Sequence, residues 1–91
     1  MNVWIVGSRG YDDYSVEYVC LSYETAIKRF NDVRNRLIKD NESMIQYEID
    51  NDLGNGRYWQ QYIDELRVLN PGEYTTGVND DPFIDEMDAE P

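Results

Sequence analysis

The stretch NVWIVGS, residues 2–8, determines how the rest of the chain must be arranged. In an extended backbone, successive side chains point to opposite sides, so Val3 and Ile5 share one side and Trp4 and Val6 the other. A strand with one solvent-facing side shows polar residues at every second position, and this stretch does not. It therefore predicts a central strand with both faces covered.

The residues after this stretch predict a hairpin and then a helix. Residues 14–21 alternate again after a short polar connection, which favours an antiparallel second strand. Ser22 offers an N-cap oxygen and Glu24 places a negative charge in the first turn, where it suits the helix dipole. Apolar residues then recur at helical spacing, which predicts a helix from about Tyr23 to Lys39.

Alternation resumes over residues 44–50 and predicts a third strand with one wet face. The loop at residues 51–56 is dense in residues that tolerate positive φ. A second helix is predicted from Arg57 to about Leu69, ended by the Asn-Pro-Gly sequence at 70–72.

The order of these elements predicts an α+β protein. It would have a three-stranded, mainly antiparallel sheet in ββαβα order, with the helices packed on one face. Residues 1–70 would form the compact domain. Residues 71–91 hold turn formers, few apolar groups and many acids, and are expected to form an acidic tail or a weakly docked arm.

Four short motifs occur in an order that resembles small phage and bacterial proteins of unknown function. They are VWIV at 3–6, the Tyr/Asp-rich turn YDDY at 11–14, the helix start SYETA at 22–26 and YEI at 47–49. The resemblance covers roughly residues 2–50. It implies a compact ββαβ core and a phage or mobile-element origin, and it assigns no functional residue.

The charge is strongly segregated along the chain. The net charge is −11, yet residues 1–40 hold six acids and six bases, so the excess lies in residues 41–91. Such a chain is not expected to bind DNA, RNA or an anionic membrane directly. Two interpretations stay open: the acids keep a small protein soluble, or they form a surface for a basic partner.

Cysteine and aromatic content indicate a folded protein of a reducing compartment. Cys20 is the one cysteine and cannot form an internal disulfide, so we expect a cytoplasmic protein that is a monomer or a small homo-oligomer. No stretch is apolar enough to predict a membrane span. The eight tyrosines exceed what one small core can hide, and aromatic residues are enriched at protein interfaces.

Catalytic and metal-binding patterns are weak. The chain has no histidine to act as a general base, and Cys20 lies on an apolar strand pattern, so we expect no enzymatic activity and no cofactor. Residues 50–56 supply oxygens that calcium prefers. Counted from Asp50, however, Gly54 and Gln61 stand where a calcium loop needs ligands, so a tight turn is the better interpretation and no metal is expected.

The C-terminal acids are dense enough to imitate a nucleic acid. Residues 80–90 hold six acids, and these eleven residues would span about 16 Å as a helix, or about one charge per 2.7 Å. Asp80 or Asp81 as N-cap and Pro82 at the first helical position favour such a helix. Duplex DNA carries about one charge per 1.7 Å and each of its strands about one per 3.4 Å. The predicted helix would separate an acidic face from an apolar one and order on a partner. Its six acids are Asp80, Asp81, Asp85, Glu86, Asp88 and Glu90.

The combined expectation is a phage-type interaction protein that inhibits a host protein. The expected partner is a nucleic-acid-binding protein such as a defence nuclease, whose basic groove the acids would occupy. The alternative is a non-catalytic adaptor or structural domain whose acidity serves solubility alone. The predicted partner-binding residues are Tyr58, Trp59, Asp64, Glu65, Asp80, Asp81, Phe83, Asp85, Glu86, Met87 and Asp88.

Overall fold

A computed structural model describes residues 1–77 and 79–89. Val78, Glu90 and Pro91 lie outside the described residues, so the last acid of the predicted tail is among them. The elements are β1 (Asn2–Arg9), β2 (Tyr14–Cys20), α1 (Tyr23–Asp50), α2 (Arg57–Arg67) and β3 (Asp81–Asp88). The chain is an α+β protein with two helices and a three-stranded antiparallel sheet, which confirms the predicted class.

The sheet has the strand order β2-β1-β3, with β1 in the centre as predicted. The β1–β2 register shifts between Val6 and Gly7, where β2 contains one extra residue. A side chain at Gly7 would collide with the carbonyl oxygen of Ser15 on the neighbouring strand. Glycine therefore permits the close backbone approach that this irregularity needs.

Helix α1 begins at the predicted cap, where the Ser22 side chain accepts a hydrogen bond from the Thr25 amide at 3.2 Å. The prediction of its end was wrong, because the helix continues to Asp50 and includes the segment assigned to a third strand. The strand in the ββαβα order, and the strand implied by the resemblance at 47–49, are therefore helical, and the observed order is ββααβ.

Polar residues on the inner side of α1 explain this error. Asn41 is buried and donates from its side-chain amide to the Leu37 carbonyl one turn earlier, at 2.7 Å. Glu48 accepts from the Gly56 amide at 3.0 Å and from the Trp59 indole at 2.9 Å. Because these inward positions are not apolar, the helical period is hidden and the two-residue alternation of the exposed apolar side chains dominates the pattern.

The predicted acidic tail is also corrected, since residues 81–88 form β3 and not a helix. This strand pairs with β1 along its whole length, from Asn2 opposite Asp88 to Arg9 opposite Asp81. Phe83 on this strand is buried. Residues beyond the predicted boundary at 70 are thus part of the same sheet as residues 2–20.

The core lies between one face of the sheet and the helices. Side chains from β1, β2, α1 and α2 form a single buried cluster, with Trp4, Tyr18 and Ile84 packed against it. Helix α1 packs on the sheet, and α2 packs mainly against α1. The central strand was expected to be covered on both faces, yet no helix covers the face of Val3 and Ile5 in the described part of the chain.

We expect Phe83→Ala to lower the free energy of unfolding by about 3–5 kcal/mol, because a buried ring is lost and a cavity remains. Met87→Ala is the matched control, since Met87 lies on the same strand with 51% of its surface exposed. Its cost should be about 1 kcal/mol or less. Urea denaturation of both variants measures the difference, and equal costs would mean that the burial of Phe83 against Tyr14 and Arg9 does not stabilise the fold.

Candidate partner-binding surface

Two of the predicted binding residues are buried and stabilise the fold. The Asp81 carboxylate accepts hydrogen bonds from the amide and the hydroxyl of Thr75, at 3.0 and 2.6 Å. Phe83 stacks on the Tyr14 ring at 5.0 Å between centroids. These contacts anchor the segment that precedes β3 and leave neither side chain open to a partner.

Two further residues of the predicted set hold loops in place. The Trp59 indole donates to Glu48, which joins α2 to α1. Glu65 accepts from the Thr76 hydroxyl at 2.6 Å and so fixes the loop after α2. Both side chains are half-buried.

The strand conformation of β3 distributes its acids over two faces. Asp85 and Met87 point to the face that no helix covers, and Glu86 and Asp88 point to the other. Asp85 forms an ion pair with Arg9 at 3.6 Å. The acids and the apolar residues therefore do not separate in the way that the predicted helix required.

The remaining predicted residues lie near α2. Tyr58 donates from its hydroxyl to Asn79 at 2.9 Å. Asp64 is exposed and accepts from Gln60, one turn away on the same helix. Asp80 is exposed and directly precedes β3. The eleven residues thus do not form one continuous surface.

The structure instead brings acids from both halves of the chain to a cleft of about 410 Å³. Its walls are the turn between β1 and β2, the middle of α1, the start of α2 and the segment before β3. The lining residues are Tyr11, Asp12, Asp13, Leu37, Asp40, Asn41, Trp59, Tyr62, Asn79 and Asp80.

Four of these residues are aspartates, and no lysine or arginine is among the described residues of the lining. The ion pairs within 4.0 Å that are found in residues 1–77 and 79–89 all use other acids. The Arg36 guanidinium donates a hydrogen bond to Glu17, which raises its pKa. The charge of Asp40 raises this pKa further, without an ion pair between the two side chains. The cleft is therefore a site of concentrated negative charge.

Tyr62 forms the floor of this cleft and stays protonated. Burial, and then the negative charges of Asp81 and Asp80, raise the pKa of its hydroxyl well above the usual range. The hydroxyl donates to the Asp80 carbonyl. This bond fixes the position of Asp80 relative to α2.

Aromatic rings complement the carboxylates. Tyr11 is 86% exposed at the cleft, and Trp59 forms part of its wall. Aromatic faces and carboxylates both attract a lysine or arginine side chain. The cleft is therefore suited to cationic groups of a partner.

Sequence reasoning missed three of the four acids. Asp12, Asp13 and Asp40 belong to the half of the chain whose total charge is zero, and only Asp80 was in the predicted set. The Tyr/Asp-rich turn at 11–14 was recognisable as a loop. Its position beside α1 and β3 depends on the tertiary structure.

No group of three or more His, Cys, Asp or Glu side chains in the described ranges is arranged to hold a metal ion. In the candidate calcium loop, the Gly56 amide donates to Glu48, and Gly56 is the N-cap of α2 with φ of 73°. Within the part of the chain that is described, no helix has the length and apolarity to cross a membrane.

Comparison of the chain with protein-family models, with curated proteins and with solved structures found no match. The site must therefore be interpreted from its own chemistry.

We expect Asp81→Ala to lower the free energy of unfolding by about 2–3 kcal/mol, because both Thr75 donors lose their acceptor. Asp81→Asn should cost about 1 kcal/mol or less, since a single carbonyl oxygen can accept the same two bonds. Urea denaturation distinguishes the variants. Equal losses would show that Asp81 acts through its charge and not through this geometry.

The raised pKa of Tyr62 predicts a loss of stability at alkaline pH. Above pH of about 10 an unfolded tyrosine releases its proton while folded Tyr62 retains it, so stability should fall as pH rises. Tyr62→Phe should make this fall less steep, whereas the exposed control Tyr47→Phe should leave it unchanged. The measurement is denaturant unfolding at several alkaline pH values. Parallel curves for both variants would contradict the assignment.

Proposed function

We propose that this chain binds the basic surface of a host nucleic-acid-binding protein, such as a defence nuclease, and inhibits it by occupying the place of the nucleic acid. The observation that carries the proposal is the cleft with four aspartates, aromatic walls and no lysine or arginine in its described lining. In this proposal the protein acts in the host cytoplasm, as the resemblance to phage proteins implies.

The shape of the molecule supports this role. Its principal dimensions are 55 × 24 × 18 Å, an elongated body that fits along a groove. The net charge corresponds to about one negative charge per 5 Å of the long axis. This density is lower than that of a nucleic acid strand, at about one per 3.4 Å, so a few concentrated carboxylates must supply most of the attraction.

The cleft supplies that concentration. Asp12, Asp13, Asp40 and Asp80 take part in none of the ion pairs within 4.0 Å that are found in the described residues, so their carboxylates are available to a partner. The partner would place lysine or arginine side chains into the cleft. The long-range electrostatic field of the cleft would also steer the partner toward it at low ionic strength.

Exposed aromatic side chains would supply the apolar part of the contact. Tyr11 lies at the rim, and rigid aromatic rings bury a large area at a small entropic cost. No catalytic step and no cofactor belongs to this role, because inhibition requires only that the groove be filled.

The test begins with capture of proteins from a bacterial lysate and then measures competition with DNA. Each captured nucleic-acid-binding protein is purified, and displacement of a labelled duplex is followed by fluorescence anisotropy at low and high salt. We expect displacement that weakens steeply as salt rises, since the contacts are electrostatic.

Two variants with the same net charge locate the surface. Converting the four cleft aspartates to asparagine should weaken displacement at least tenfold. The matched control carries amides at Glu24, Asp50, Asp52 and Glu73, which are exposed and lie outside the cleft. Equal effects of both variants would show that total charge and not the cleft matters, and failure to displace DNA from any captured protein would refute the mimicry.

A second candidate function is a non-catalytic adaptor or structural domain. It is favoured by the acids that serve the fold itself, since Asp81, Glu48 and Glu65 accept hydrogen bonds from backbone and side-chain donors. Under this alternative the acidity serves solubility. This alternative is supported if conversion of the four cleft aspartates to asparagine leaves binding to the captured proteins unchanged.

A further inference from the structure

The acidic cleft contains a polar side chain that is almost completely buried. Asn41 lines the cleft and is only 9% exposed. It continues the buried stripe of α1 whose earlier members, Phe30, Val33 and Leu37, are apolar. A helix stripe that packs against a core is normally apolar throughout. Packing alone therefore does not explain an amide at this position.

The oxygen of this amide is open to a ligand. The Asn41 Nδ2 donates to the Leu37 carbonyl at 2.7 Å. Because a carbonyl oxygen can only accept, this bond identifies the nitrogen end of the amide and leaves Oδ1 at the other end. Among residues 1–77 and 79–89 no hydrogen bond to Oδ1 is found, and Oδ1 is not one of the atoms sealed from solvent. It is an acceptor that a group in the cleft can reach.

The side-chain donors that line the cleft are already used within the protein. The Trp59 indole, the Tyr62 hydroxyl and the amides of Asn41 and Asn79 each donate to another protein group. What the cleft offers to a ligand is therefore carboxylates and the Asn41 oxygen, which are acceptors. A sugar or a nucleobase would bring acceptors of its own against these oxygens, whereas a cationic nitrogen group brings donors alone.

The acceptors are spread over different walls of the cleft. Asp12 and Asp13 come from the β1–β2 turn, Asp40 from α1 and Asp80 from the segment before β3. They do not converge on one point, since no group of three or more acids in the described ranges is arranged to hold a metal ion. Arginine presents its donors in a planar fork that reaches in several directions, whereas lysine holds its donors on one compact nitrogen. The spread of acceptors favours arginine.

The other walls of the cleft also suit an arginine side chain. Tyr11 and Trp59 provide aromatic rings, on which a guanidinium stacks and is more readily desolvated than an ammonium. Leu37 adds an apolar surface, which suits the aliphatic stem of such a side chain. The volume of about 410 Å³ lies within the range of roughly 300–1,000 Å³ that is usual for ligand pockets.

We propose that the cleft binds one arginine side chain of the partner and that Asn41 Oδ1 accepts a hydrogen bond from its guanidinium. This inference rests on the proposed function, which brings a basic protein to the cleft. The guanidinium stacks on Tyr11 and donates its other N–H groups to the carboxylates, and its stem lies against Leu37. A lysine at the same place makes fewer of these contacts and binds more weakly.

A nuclear magnetic resonance titration of the full ¹⁵N-labelled chain tests the preference for arginine. The probes are two blocked tripeptides of equal charge, glycine-arginine-glycine and glycine-lysine-glycine. The arginine peptide should shift the side-chain signals of Asn41 and Trp59, with a dissociation constant at least about fivefold below that of the lysine peptide. Equal dissociation constants, or Asn41 and Trp59 signals that do not move, would overturn the proposal.

The variant Asn41→Leu separates binding from a structural role. It removes the acceptor and extends the apolar stripe, and the Leu37 carbonyl keeps its backbone bond within the helix. Binding of the arginine peptide should weaken about tenfold, since a hydrogen bond to a charged group is lost, while the thermal midpoint stays equal or rises. The matched control is Asn35→Leu, an exposed position of α1 outside the cleft, which should leave binding unchanged. A less stable Asn41→Leu variant that binds the peptide as before would assign Asn41 to the fold and overturn its role in binding.

The variant Tyr11→Ala tests the stacking without risk to the fold, because Tyr11 is 86% exposed. It should weaken the arginine peptide about fivefold and the lysine peptide less. The control Tyr47→Ala removes an exposed ring of α1 outside the cleft and should change neither dissociation constant. Equal weakening of both peptides by Tyr11→Ala would contradict the preference for arginine.

Failure of the arginine site and failure of the proposed inhibition give different results. The titration uses the chain and a peptide, and the competition with DNA uses a captured protein. Arginine binding without displacement of DNA would refute the inhibition and leave the arginine site. Displacement of DNA without a preference for arginine would refute the arginine site and leave the inhibition.

Discussion

Strand β3 pairs with the central strand β1 along all eight of its residues, and most other features of the molecule depend on this pairing. It places Phe83 opposite Gly7, where the ring packs between Tyr14 and the Arg9 guanidinium. The Asp81 bonds to Thr75 then hold the preceding loop against the sheet. Without β3, the central strand would be an exposed edge with unpaired backbone groups.

The same pairing creates the acidic cleft. Because β3 starts beside the end of β1, Asp80 is brought next to the β1–β2 turn with its two aspartates. Tyr62 of α2 bonds to the Asp80 carbonyl and closes the floor. Charges that are 40 to 70 residues apart in the chain thus act on the same volume of solvent, where their fields add.

Local sequence determined the elements whose signals are purely local. The hairpin of residues 2–20, the Ser22 cap and the helix that begins at Arg57 were all predictable, because alternation, capping and helical spacing act over a few residues. The two apolar sides of β1 also indicated correctly that it is central. The three-stranded antiparallel sheet and its class followed from these elements, with one strand assigned to the wrong segment.

Only the tertiary structure decided the rest. Asn41 and Glu48 face inward on α1 because each has a hydrogen-bond partner there. Asn41 bonds within its own helix, and Glu48 bonds to Gly56 and Trp59 at the start of α2. The spacing of apolar residues in the sequence does not reveal these partners. Residues 81–88 look like a solvated acidic helix in isolation, yet the edge of β1 offers them backbone hydrogen bonds and a site for Phe83. The cleft acids come from segments that are distant in sequence, so the balanced charge of residues 1–40 concealed them until the fold brought Asp12, Asp13 and Asp40 to Asp80.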